Sequence, residues 1–157
     1  MAKVLRICPH CGCELVKARS PRHHRFFFAV IAHAYENWPE AHDFQPDSAE
    51  HLRAWLLTHT KHKFRLGNGL NAEKPDPLKM VDFVEMCLFE VRKSGYGFVV
   101  MESNGEMTMH FPKSINYAEL DQEEFAPIAD DVFAVIEAEM KTTIKELSCG
   151  FTEKHKR

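Results

Sequence analysis

Phe98-Val99-Val100-Met101-Glu102-Ser103-Asn104-Gly105-Glu106-Met107-Thr108-Met109-His110-Phe111 is the stretch that decides the fold class. Its two runs flank Asn104-Gly105, the preferred pair for a two-residue turn with positive φ at both positions. This predicts a β-hairpin with strands over 98–103 and 106–111. Just upstream, Asp76-Pro77 starts a helix with Leu78, Val81, Val84 or Glu85, Leu88 and Val91 on its inner face, and Gly95 ends it. Just downstream, the spacing predicts one long acidic amphipathic helix from Asp121 to Leu147. Phe125, Ile128, Val132, Ile136 and Met140 face inward, and Pro127 falls within its first two turns. Helices followed by a hairpin and a further helix make an α+β protein, not a parallel α/β sheet.

Further upstream, Lys61 to Lys74 reads as a polar loop around Gly67-Asn68-Gly69. Asp47-Ser48-Ala49-Glu50 has capping-box spacing for a helix carrying Leu52, Trp55 and Leu56. Ser20-Pro21 is a helix start, because Ser caps free N–H groups and Pro is tolerated at the first helical position. That helix runs to about Trp38, with Phe27, Ile31, Ala34 and Trp38 on one stripe and Phe28 and Tyr35 beside it. The chain therefore reads as a cysteine-containing segment, 1–18, followed by one α+β domain, 19–157. The domain has three helices, a hairpin and a long C-terminal helix.

A length of 157 residues fits one domain, and 45% hydrophobic residues argue against disorder. The net charge of −3 excludes an overall polyanion-binding composition, but the charge is unevenly placed. Residues 1–25 carry Lys3, Arg6, Lys17, Arg19, Arg22 and Arg25 against Glu14 alone, whereas residues 119–140 carry eight acids and neither Lys nor Arg. A basic front and an acidic back can steer partners even when the total nearly cancels. The longest apolar run, Phe26 to Ala32, is too short for a membrane helix, and the first residues lack a secretion signal. Five cysteines, three of them within Cys8–Cys13, fit a reducing compartment better than a disulfide framework, so the expected location is cytoplasmic.

Cys8-Pro9-His10-Cys11-Gly12-Cys13 is the sharpest local motif. Two thiolates two residues apart can grip a tetrahedral ion, and the glycine lets backbone N–H groups turn toward sulfur. One knuckle supplies two ligands of the four that structural zinc needs. Cys13, His10, His23 or His24 could complete the site, as could Cys149 or His155, and the set favoured is Cys8, Cys11, Cys13 and His24 with zinc. Free thiols are the competing reading, and redox work comes third. His51, His59 and His62 would share a face if the second helix reached that far. With no His-Glu-x-x-His pattern, solvated or partly packed histidines remain the plainer account. No phosphate loop or nucleophile elbow is present, so no catalytic residue is nominated.

The start of the first helix is better grounded as a binding site. Arg19, Arg22, His23 and Arg25 surround a helix N-terminus, whose free N–H groups favour phosphate. Phe26 and Phe28 could stack on unpaired bases if exposed. Against this stand a protein partner, or pairing of the arginines with the acidic helix. That helix could be a simple solvated face or a phosphate mimic.

Arg19-Ser20-Pro21-Arg22-His23-His24-Arg25-Phe26-Phe27-Phe28-Ala29, Trp38-Pro39-Glu40 and Ala49-Glu50-His51-Leu52-Arg53 resemble a family of phage- and prophage-encoded proteins. So do Pro112-Lys113-Ser114-Ile115, Asp121-Gln122-Glu123-Glu124-Phe125 and Asp131-Val132-Phe133-Ala134-Val135-Ile136, a coverage of about 19–147. The family is distantly similar to the Orf (NinB) recombination proteins of lambdoid phages, dimers that bind single-stranded DNA and help load recombinase. The resemblance implies a non-enzymatic homodimer in the bacterial host cytoplasm, with DNA contacts at Arg19, Arg22, His23, Arg25, Lys113 and Ser114. The alternative is a protein that modulates a host DNA-handling or defence factor through its acidic helix. The cysteine knuckle lies outside both patterns.

Overall fold

The order of elements follows from where each helix finds its cap. In the computed structural model, which describes residues 20–116 and 119–149 and the backbone of 6–7 and 14–15, α1 spans Pro21–Glu36. It begins where the Ser20 hydroxyl accepts the His23 N–H and Pro21 takes the first position. Short strands β1 (Arg6–Ile7) and β2 (Glu14–Leu15) pair antiparallel ahead of it. α2 spans Ala49–Thr58. Its cap is Ser48, whose side chain accepts from His51 N, so the cap sits one residue later than the Asp47–Glu50 capping box expected from sequence. Glu50 binds Arg53 instead.

β3 (Lys63–Leu66) replaces the loop expected over 61–74. The alternation of Lys63 and Arg65 with Phe64 and Leu66 is a period-two signal, and both apolar members pack into a core. α3 (Pro77–Ser94) starts at Asp76 and stops at Gly95, which adopts φ 81° and donates its N–H to Val91 O, as its C-cap role requires. β4 (Phe98–Met101) and β5 (Met107–Pro112) form the hairpin. Its turn differs from expectation: of Asn104 and Gly105, Gly105 alone has positive φ. Glu102 O accepts from Gly105 N, and Glu102 N donates to Glu106 O. This is a three-residue loop closed by a glycine bulge, not a two-residue turn.

The long terminal helix is two helices, α4 (Gln122–Met140) and α5 (Ile144–Cys149). Lys141 breaks it in the left-handed conformation at φ 53°, and Ile144 N then donates to Glu137 Oε1. α4 starts in a capping box between Asp121 and Glu124. Phe125, Val132 and Ile136 face inward as their spacing predicts, with Ala129 among them and Ile128 and Met140 packed alongside.

The fold is α+β: among the described residues it has five helices, the β1-β2 pair and a three-stranded antiparallel sheet of order β3-β5-β4. Two apolar cores hold it together. One joins α1, α2, α4 and α5 through Phe27, Ile31, Leu52, Phe125, Val132 and Leu147. The other lies between α3 and the sheet, around Leu70, Phe83, Cys87, Met109 and Phe111. Of the inner face expected for α3, Val91 packs on the core and the rest is contradicted. Phe83 and Cys87 face the sheet, while Leu78, Val81, Val84 and Leu88 face out. The helix is apolar on both sides; the sheet takes the side of Phe83 and Cys87, and Phe89 stays exposed.

Candidate functional site

The two cores meet along a seam, and the seam opens into a groove of about 730 Å³. α1 supplies His24 and Phe28, α2 supplies Glu50 and Arg53, and α3 supplies Glu90, Lys93 and Ser94. β3 adds Phe64, and the end of β5 with the following loop adds Pro112, Lys113, Ser114, Ile115 and Asn116. The loop is fastened beside β3, where Lys113 N donates to His62 O at 3.1 Å and the His62 ring meets Ser114 O at 3.0 Å.

The electrostatics of the groove divide its cations into two kinds. Arg53 forks onto Glu50, with its Nε 2.8 Å from Oε2, and holds that carboxyl below its usual pKa. Lys93 lies 3.3 Å from Glu90 Oε1 and 4.1 Å above the Phe89 ring. Lys113 is exposed, and among the described residues its ammonium meets neither a carboxylate nor a carbonyl. Two apolar rings complete the walls. Phe64 stacks on Phe111 at 5.0 Å, and Phe28 lies 4.8 Å from the His24 ring. Cations beside flat apolar surfaces suit a ligand that is both anionic and planar.

The residues nominated from sequence are divided by this geometry. His24, Lys113 and Ser114 come together in the groove. Arg22 and Arg25 are exposed on α1, and Arg25 follows His24, about 100° round the helix. Neither pairs with the acidic helix among the described residues; Arg25 Nε donates to its own Pro21 O at 3.3 Å. His23 turns the other way. Its Nδ1 accepts from Gln122 Nε2 at 2.6 Å and its ring meets Phe125 edge-on at 5.3 Å, so it helps seat α4. Phe26 packs against Phe133, whereas Phe28 reaches the groove. Arg19, Cys8, Cys11 and Cys13, and with them the cysteine knuckle, lie outside the described residues. His24, offered as the fourth metal ligand, lies between Phe28 and Phe125.

Among the described residues, no three His, Cys, Asp or Glu side chains cluster as a metal site. α2 stops at Thr58, so His51, His59 and His62 go to separate partners: His51 stacks on Tyr96, His59 on Trp55, and His62 meets Ser114. Arg53, Lys93 and Phe64 were not nominated from sequence. Phe64 was hidden by the loop reading of 61–74, and the two cations only reach the groove once α2 and α3 have packed. No described helix is long and apolar enough to cross a membrane. Compared with models of protein families, with curated proteins and with solved structures, the chain finds no match.

Proposed function

We propose that this protein binds single-stranded DNA along the groove as a non-enzymatic accessory factor of phage recombination or replication. The observation that carries the reading is the convergence of Lys113, Arg53, Lys93 and His24 with the rings of Phe28 and Phe64 in one opening. Phosphates would run along the cations while bases lie on the rings, a combination that tolerates any sequence because every base has a flat face. Arg22 and Arg25 lie about 160° and 100° round α1 from His24, on its exposed side, where a strand leaving the groove around the helix tip would reach them.

The test is a fluorescence-anisotropy titration of a labelled oligonucleotide at several salt concentrations. Three contacts, from Arg22, Arg25 and Lys113, give a log–log salt slope of about −2 for a single strand. Lys113→Glu weakens binding across all sequences, and Arg22→Glu with Arg25→Glu removes most of the slope. Absence of binding at low salt sinks the reading. The second reading is favoured by the exposure of Glu123, Asp130 and Asp131 along α4. These acids would hold a basic partner that itself handles DNA, and their charge reversal would then abolish that contact while leaving oligonucleotide binding alone.

A further inference from the structure

We propose that two copies of this chain associate through the edge of β4 that no other described strand covers and the apolar flank of α3, making one six-stranded sheet. The inference goes beyond the groove and does not depend on what the groove binds. β4 is an edge strand in the order β3-β5-β4. Glu102 directs its N–H and C=O to Glu106 and Gly105, so the alternation of the strand turns the backbone groups of Val99 and Met101 outward. Edge strands are normally kept single by charge or proline. Phe98–Met101 has neither. Instead Val99 is 55% and Met101 65% exposed.

Those two side chains share the face of the sheet that α3 covers, because they lie opposite Met109 and Met107. α3 continues their surface. A Cβ placed on Gly97 would lie 3.1 Å from Val91 Cγ2, so the Val91 flank of α3 overlooks the start of β4. Val84 and Leu88 precede Val91 by seven and three residues and share that flank. α3 packs on β5, and β4 runs back alongside it, so about four helical residues match two strand residues. Leu88 thus stands at the level of Val99, and Val84 at that of Met101.

The area fits a second copy. Six of the exposed apolar side chains lie on this side, Met80, Val81, Val84 and Leu88 on α3 with Val99 and Met101 on β4, exposed on average by about half; Leu78 and Phe89 lie round toward the other flank. At roughly 150–200 Å² each when fully exposed, the six offer roughly 450–600 Å² per copy, so two copies bury about 1,000 Å² in all, the size at which a specific interface begins. The geometry fits as well. An antiparallel edge is its own complement about a twofold axis, which is the symmetry of most dimers. Pairing β4 with its copy sets the two β5 strands three spacings apart, about 14 Å. The two α3 helices, each over its own β5, would then lie on one face about 14 Å apart, wider than the roughly 8–10 Å of direct helix packing, with Val99 and Met101 of both copies filling the gap between the Val84 and Leu88 flanks.

Sedimentation velocity of the full chain tests this, together with hydrogen exchange at the backbone amides of Val99 and Met101. The wild type is expected to sediment as a dimer, with protection of both amides rising with protein concentration. Val99→Lys with Met101→Lys, and separately Leu88→Glu, should give monomers with unchanged circular dichroism. A wild type that stays monomeric overturns the proposal, whether or not the chain's own residues cover the patch. So does a dimer that keeps its mass in both variants, or one whose Val99 and Met101 amides exchange freely at every concentration. Should a variant misfold, the concentration dependence of exchange in the wild type still decides.

Discussion

Gln122 holds two helices by one amide: its Oε1 accepts the Ser20 N–H at 2.8 Å, and its Nε2 donates to His23. It thereby satisfies a backbone donor ahead of the α1 cap and fixes the His23 ring against Phe125. Gln122→Ala removes both bonds from a half-buried site and should lower stability by about 1–2 kcal/mol in urea unfolding. An unchanged midpoint would contradict that role. His110 presents a different case. It is 8% exposed, and burial, with the charges of Lys63 and Arg65, pushes its pKa below 6.5 despite the neighbouring Glu102. The unfolded chain therefore takes up a proton near pH 6.5 that the folded protein refuses. Stability should be level above that pH and fall below it. Melting temperature measured against pH shows the loss, and His110→Gln should flatten it; parallel profiles would count against the account. None of this is visible from local sequence, because Gln122 and Ser20 are 102 residues apart and His110 acquires its surroundings from two other strands.

At the scale of elements, sequence reading succeeds where a signal is local. Ser20-Pro21, Asp76-Pro77 and Gly95 mark helix ends by their own backbone chemistry, and the structure puts them there. It fails where the decision is made by packing. β3 has only four residues, two of them cationic, and becomes a strand because β5 offers it a partner. The face of α3 could not be chosen from periodicity, since both of its sides are apolar. The break between α4 and α5 is equally unmarked, because lysine is a good helix former and here accepts a left-handed backbone. That conformation disfavours any residue with a Cβ, so Lys141→Gly should raise stability by up to about 1 kcal/mol in the same urea assay. A destabilised variant would show that the lysine side chain matters more than the backbone.

Over the whole molecule, the arrangement is two cores with a seam between them, and the groove follows from that arrangement. It draws residues from α1, α2, β3, α3 and the end of β5. Of the binding residues nominated from sequence, Lys113 and Ser114 line the groove and Arg22, His23 and Arg25 do not, while Arg53 and Lys93 arrive from other layers. α3 works on two sides: Glu90 and Lys93 face the groove, while Val84 and Leu88 lie on the flank toward β4. In the paired arrangement the two grooves stay outside the shared surface and remain open together. A single strand long enough to reach both would be held by two sites at once, and its apparent affinity would exceed that of either.

The clamp at Gln122 also orders events in time. The seat of α1 is built from residues a hundred positions later: Phe27 packs on Phe125, and Ser20 is tied to Gln122. During synthesis the first helix, with its arginines, leaves the ribosome well before its seat exists. Local contacts form early, and long-range closure must wait for the distant segment. The helix tip is therefore the first basic element made and among the last to be held in place, completed only when α4 arrives.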